Sequence, residues 1–212
     1  MNGGDDGVHL DPVTWKSDPN FDDVVSGFAM ILRGLGVPVN AHSAGTAERA
    51  ARAWWNELCA GLTQEPPKIT AFESSSDEMV VLRGIPVRSL CAHHLLPFIG
   101  EATVAYVPGQ GKILGISKLS RLTNYWARRP QVQEELTAQI ADAVAEHVVS
   151  VSDGVYCGGV GVTIRANHLC MMMRGVNHSG DLVTSAVRGV FSTKPEARAE
   201  FLALTRLGGK IE

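Results

Sequence analysis

The most informative stretch of the chain runs Ser89-Leu90-Cys91-Ala92-His93-His94-Leu95-Leu96-Pro97-Phe98. Before it, Glu78 to Leu90 reads as a strand. After it, Ile99 to Val107 reads as another, with Ile99, Thr103, Ala105 and Val107 on one face. Cys91 and His94 therefore sit where a strand ends, and a Cys-x-x-His spacing lets both side chains reach one ion from a single tight turn. A second element must complete such a site. His168-Leu169-Cys170 is the candidate, because residues two apart on an extended segment point to the same side. On spacing alone, buried cysteines and hydrogen-bonded histidines explain these residues equally well, since cysteine is among the most buried residue types. Cys59 and Cys157 have no neighbouring histidine and read as ordinary buried residues.

Outward from this centre the pattern is blockwise. Asn20 can cap a helix carrying Val24, Phe28, Ile31 and Leu35, stopped by Gly34 and Gly36. A second helix is expected from Thr46 to about Gly61, with Ala50, Ala53, Trp54 and Leu58 on one face. Gln64 to Asp77, rich in Pro, Ser and Glu, reads as a surface loop. Pro108 to Gly111 turns the chain back and reads as a hairpin. Ser117 can cap a helix to Arg128, and Pro130 suits the first turn of another carrying Val132, Leu136, Ile140 and Val144. Strands from Val160 to Ala166 and Leu182 to Phe191 precede a short helix from Pro195 to about Leu204. Helices, hairpin, helix pair, hairpin: this order predicts an α+β fold with a mainly antiparallel sheet.

Composition bounds the function. With 45% apolar and 19% charged residues, the 212-residue chain belongs to the globular class, and no apolar run approaches the ~18 residues a bilayer requires. A net charge of −3 argues against a protein that coats nucleic acid. Four scattered cysteines are too few for a disulfide scaffold in a chain of this size. The first twenty residues carry neither a basic nor an apolar leader, so a cytoplasmic protein with a loose N-terminal arm is expected.

Five segments together resemble the GTP cyclohydrolase I family in order and spacing. They are Ser89 to Phe98, Gly115-Ile116-Ser117-Lys118-Leu119-Ser120-Arg121-Leu122, Arg129-Pro130-Gln131-Val132-Gln133-Glu134, His168-Leu169-Cys170-Met171-Met172-Met173-Arg174-Gly175-Val176, and Thr184-Ser185-Ala186-Val187-Arg188-Gly189. The resemblance covers about Ala29 to the C-terminus. It implies the tunnelling fold, an α+β antiparallel sheet with packed helices. With the arm read from composition over 1–19, the expected division is a helical region over 20–66 and a catalytic domain over 67–212.

By the same likeness Cys91, His94 and Cys170 would hold Zn2+ with one position open to water, although thiolate and imidazole ligands also suit iron. His93 and His168 match the family's two proton-shuttling histidines. Glu134 and Gln133 match its guanine contacts, and a carboxylate can accept from N1–H and the exocyclic amine of guanine together. Arg49, Arg52, Ser117, Lys118, Arg121 and Arg174 match its triphosphate contacts. The implied reaction is hydrolytic opening of GTP at C8, loss of formate and rearrangement to 7,8-dihydroneopterin triphosphate, the first step of folate and tetrahydropterin synthesis. The implied partners are GTP or a related purine and further copies of the chain, in a toroidal homodecamer with shared sites. No nucleic acid and no membrane are expected.

The chain departs from the family at Ala92, where relatives carry glutamate, and at Asn177 to Asp181, where a basic pair is common. These departures leave two other readings open. One is a specialised paralogue that acts on a modified purine or stops at an opened ring. The other is a purine-binding assembly protein whose zinc is structural.

Overall fold

The protein was analysed as a computed structural model, which describes residues 18–109 and 111–206. The expected arm therefore lies, up to residue 17, outside the described residues, as does Gln110 of the expected turn. The chain divides between Ala53 and Trp54 into two compact units.

In the first unit, α1 (Phe21–Gly34) starts as its sequence predicts: Asn20 Oδ1 accepts from the backbone N–H of Asp22 at 2.9 Å and of Asp23 at 3.4 Å. Asp22 and Asp23 in the first turn and Arg33 in the last complement the helix dipole. Gly36 follows with a φ of 66°, which a glycine adopts without strain. Helix α2 (Thr46–Ala53) packs against α1 and buries Ala51, yet no residue of α1 itself is buried.

The second unit opens with a departure from expectation. Instead of one helix reaching Gly61, Trp54–Leu58 forms a π-helical turn, and α3 (Ala60–Thr63) is a separate piece. The Cys59 N–H reaches back five residues to the Trp54 carbonyl at 2.7 Å, the bond that adds the extra residue to the turn.

The elements that follow are β1 (Ala71–Glu73), β2 (Val80–Cys91), β3 (Pro97–Val107), β4 (Lys112–Leu114), α4 (Ile116–Ala127), β5 (Pro130–Gln131) and α5 (Gln133–Val148). Then come β6 (Ser150–Ser152), β7 (Val155–Cys157), β8 (Gly159–His168), α6 (Leu169–Met172), β9 (Asp181–Gly189), α7 (Val190–Thr193) and α8 (Pro195–Arg206). The main sheet has the order β5-β2-β3-β8-β9 and is antiparallel except for the short parallel pairing of β5 with β2. The α+β arrangement expected from the order of the blocks is thus present.

Helices α4 and α5 cover one face of the sheet. Val87, Phe98, Val104, Val162 and Ile164 from the strands meet Leu119, Leu122, Leu136, Ile140 and Val144 from the helices in one core. A second cluster of Ala105, Phe191 and Phe201 anchors α8, with the Phe201 ring lying where a Cβ on Gly161 would be.

Several local expectations are corrected. After the turn at Pro108, β4 pairs with β1 and does not return along β3; the supposed loop therefore contains a strand. Helix α4 is preceded by Gly115, and Ser117 lies exposed inside its first turn without capping it. Pro130 is not helical: it pairs with Leu90 on an edge strand, where a missing N–H costs no central ladder bond. The last long strand ends at Gly189, whose φ of 61° breaks the extended run and starts α7. No helix among the described residues is long and apolar enough to cross a membrane.

Candidate active site

Strands β2 and β3 form a hairpin whose connection holds the Cys-x-x-His stretch. The Cys91 N–H donates to the Leu96 carbonyl at 2.8 Å, and the Leu95 N–H donates to the Cys91 carbonyl, also at 2.8 Å. The turn closes through Leu95, which has a φ of 54°. A branched side chain rarely takes that left-handed conformation, so the turn stores backbone strain at this point. The Ala92 N–H donates to the Gln131 carbonyl at 3.0 Å, tying the turn to the start of α5 through β5.

At the end of the sheet β8 finishes at His168, paired with Phe98 of β3. The chain then enters α6 directly, so Cys170 lies on a helical turn and not on the extended segment its spacing predicts. It reaches the same place nonetheless. The donor atoms of Cys91, His94 and Cys170 all lie within 4.8 Å of one another. A tetrahedral zinc with ligand bonds of about 2.0–2.3 Å asks for slightly closer spacing, roughly 3.5 Å between donors, a small adjustment of side chains. Two thiols and one imidazole, with Cys91 buried and His94 exposed, make a three-ligand donor set with an accessible side. His93 stands beside it, its Nδ1 at 3.8 Å from Cys91 Sγ. Burial, and then the neighbouring Cys91 thiol, push the Cys170 thiol above its ordinary range, while Arg174 pulls it down.

His168 is held by a ring stack and a hydrogen bond. Its ring stacks on Phe98, with centroids 4.6 Å apart and planes 9° from parallel. Its Nε2 lies 2.8 Å from Gln133 Oε1. Burial pushes the imidazole below its ordinary pKa, opposed by the charge of Glu134, so the two residues are near neighbours. Glu134 itself is exposed in the first turn of α5.

Gln133 is almost wholly buried, and its amide nitrogen approaches the Ile164 carbonyl (3.2 Å), the Leu182 carbonyl (3.1 Å) and Thr184 Oγ1 (3.1 Å). Both protons of its amide nitrogen thus have protein acceptors, and its oxygen meets His168. Phe98, Thr137 and Thr184 belong to this constellation, yet no role for them was legible beforehand. Phe98 and Thr184 fall within the family-like segments, but nothing in their spacing points to His168.

The expected triphosphate contacts are less unified. Arg174 follows α6 and acts on Cys170. Arg121 of α4 lines a cleft of about 300 Å³ together with Gln64, Glu65, Asn124, Tyr125 and Arg128, and none of the three metal-ligand candidates borders it. Ser117 is exposed and Lys118 half-buried on the same helix. In the first unit Arg52 pairs with Glu48 at 2.6 Å, and Arg49 donates to the His42 carbonyl at 2.7 Å.

In sequence the chain is similar to proteins of one family. The family model described as GTP cyclohydrolase I matches residues 25–206. The GTP cyclohydrolase 1 of Carboxydothermus hydrogenoformans is 46% identical over 179 residues, 82% of this chain and 89% of that protein. That of Hahella chejuensis is 45% identical over 188 residues, 86% of this chain and 95% of the relative. That of Dehalococcoides mccartyi is 40% identical over 183 residues, with 84% and 93% covered.

Proposed function

The chain belongs to the GTP cyclohydrolase I family, and from that membership we infer that it opens the imidazole ring of GTP, as a zinc-dependent hydrolase acting on a cyclic amidine carbon–nitrogen bond in folate biosynthesis. Water adds at C8, formate leaves, and the ribose carbons close a second ring to give 7,8-dihydroneopterin triphosphate. The observation that carries this reading is the convergence of Cys91, His94 and Cys170 beside a half-buried, stacked His168.

Cys91, His94 and Cys170 would hold the zinc, which when bound supplies Lewis acidity for activating water toward C8. The donor set fits that ion: soft thiolates with one imidazole, and a fourth direction left accessible. Glu134 accepts from N1–H and the exocyclic amine, which fixes the guanine edge and rejects adenine, whose donor and acceptor pattern is opposite there. His168 and His93 exchange protons with the purine, the formamide and the ribose as the ring opens and recloses. Burial favours an uncharged His168, ready to accept a proton. Lys118, Arg121 and Arg174, with Ser117 as hydroxyl donor, neutralise the triphosphate. We assign Arg49 and Arg52 to the same anion.

We further propose a toroidal homodecamer with sites shared between subunits. The exposed Met30 and Ile31 of α1, with Leu35 just after it, support such assembly as apolar side chains at the surface. Four free cysteines, two of them in the metal cluster, support a reducing, cytoplasmic setting. A specialised paralogue or a non-catalytic binder gains no support from relatives that share one enzyme name.

The test is direct. Zinc-loaded protein incubated with GTP is expected to release formate and to yield a fluorescent neopterin after oxidation and dephosphorylation. An opened purine without pterin would mean a paralogue, and tight binding without turnover a non-catalytic protein. Cys170→Ala is expected to lose both zinc and activity, His168→Ala to keep zinc and lose turnover.

A further inference from the structure

Gln133 matches a position expected to contact the purine, but its surroundings give it a different task. An amide is usually ambiguous, because its oxygen and nitrogen look alike to a neighbour. Here the ambiguity is removed. The Ile164 and Leu182 backbone carbonyls can only accept, so the end of Gln133 that faces them must be the –NH2. The opposite end, Oε1, is then the acceptor that meets His168 Nε2 at 2.8 Å. A neutral imidazole facing an acceptor at that distance must donate, so the ring proton sits on Nε2.

The same direction runs on through the network. Thr137 Oγ1 donates to the Gln133 backbone carbonyl at 2.7 Å, another group that can only accept. Its hydroxyl oxygen therefore receives the proton of Thr184 Oγ1, 2.6 Å away. Thr184 Oγ1 is left as a third acceptor at 3.1 Å, sharing one of the two Gln133 amide protons with a backbone carbonyl. Every member is buried or half-buried, which limits competition from water for these bonds. Phe98 fixes the plane of the imidazole, and Gln133 fixes its rotation within that plane.

We infer that Gln133, backed by Thr184 and Thr137, is a positioning residue that holds His168 as the Nε2–H tautomer and leaves Nδ1 as the only ring atom able to take a proton in the reaction. The inference rests on the reading of His168 as a proton-transfer group. It transfers Gln133 from base recognition to that group, leaving the guanine edge to Glu134.

Zinc-loaded protein carrying nitrogen-15 in its histidine rings reads the tautomer directly, with His168 assigned as the signal absent from His168→Gln. Wild type above neutral pH is expected to show a protonated Nε2 and a bare Nδ1, and Gln133→Met to lose that preference. A wild-type His168 with its proton on Nδ1 would overturn the inference. In steady-state kinetics Gln133→Met is expected to lower kcat by about 10–100-fold, as removal of a supporting hydrogen bond does. KM for GTP should stay within about twofold, with zinc content unchanged. A raised KM at unchanged kcat would make Gln133 a substrate contact and sink the assignment. Thr184→Val keeps the side chain's shape and removes one acceptor for the amide. It is expected to lower kcat in the same direction by less, and it keeps the question answerable where Gln133→Met does not fold. Full activity in His168→Ala would refute the role of His168 itself. An inactive His168→Ala beside a fully active Gln133→Met would refute only the role of Gln133.

Discussion

The proposed function asks much of one exposed side chain, Glu134. It lies exposed in the first turn of α5, where the helix dipole favours an anion, and its charge partly opposes the burial that lowers the pKa of His168. A carboxylate there meets two donors of a guanine edge at once, whereas a carboxamide of the same size offers one acceptor and one misplaced donor. Glu134→Gln is therefore expected to cut kcat/KM for GTP by about 100-fold, chiefly through KM, because a substrate donor is left unpaired. The folded state should lose no more than about 1 kcal/mol, the usual worth of such a charge at a helix start. Steady-state kinetics and a thermal melt check the two halves. Ala92 sits nearby without comparable consequence for shape: it is exposed, and its part in the turn is a backbone bond to Gln131. A missing glutamate at this position changes the local charge and leaves the hairpin connection to its backbone bonds and to Leu95.

Among the elements, α8 docks by a single anchor. Phe201 is fully buried, tilted against Phe191 at 5.6 Å between centroids, and lies over Gly161 of β8 where any side chain would collide. Phe201→Ala is expected to destabilise the fold by about 3–5 kcal/mol, the range for emptying a well-packed aromatic site. Urea unfolding measures this, and zinc content should be unchanged, since the metal candidates adjoin the other core cluster. The long strands and α1 were legible in the sequence because period-two and helical spacings, with the Asn20 cap, are local signals. Pro130 misled because a proline suits a first helical turn and an edge strand alike; only its pairing with Leu90 decides between them. Cys170 was rightly grouped with Cys91 and His94 on wrong geometry, since the strand's end at His168 lies two residues earlier than the spacing argument assumed. The network behind His168 was not legible at all. Gln133 and Thr184 are 51 residues apart, and their meeting depends on how α5 crosses β8 and β9.

At the scale of the whole molecule the question is whether one chain holds one complete site. Arg121 borders a cleft that none of Cys91, His94 and Cys170 lines, although the proposed reaction asks one substrate to meet both the metal and the cations assigned to its triphosphate. Apolar side chains exposed along α1 add surface that a second copy can cover. Both features fit a site completed across a symmetric interface, in an assembly with a mass of about ten times the 22.7 kDa chain. Cys170→Ala and Arg121→Ala should each be inactive alone, one lacking the metal and the other a triphosphate contact. Co-expressed in equal amounts they are expected to form mixed assemblies, in which some sites would draw Cys170 from one subunit and Arg121 from its neighbour. Random mixing then restores about one quarter of wild-type activity per site, since each of the two required subunits is intact about half the time. Light scattering on the mixed sample confirms that assembly is preserved. Recovery near one quarter supports the shared site; no recovery at all means that each chain supplies both residues itself.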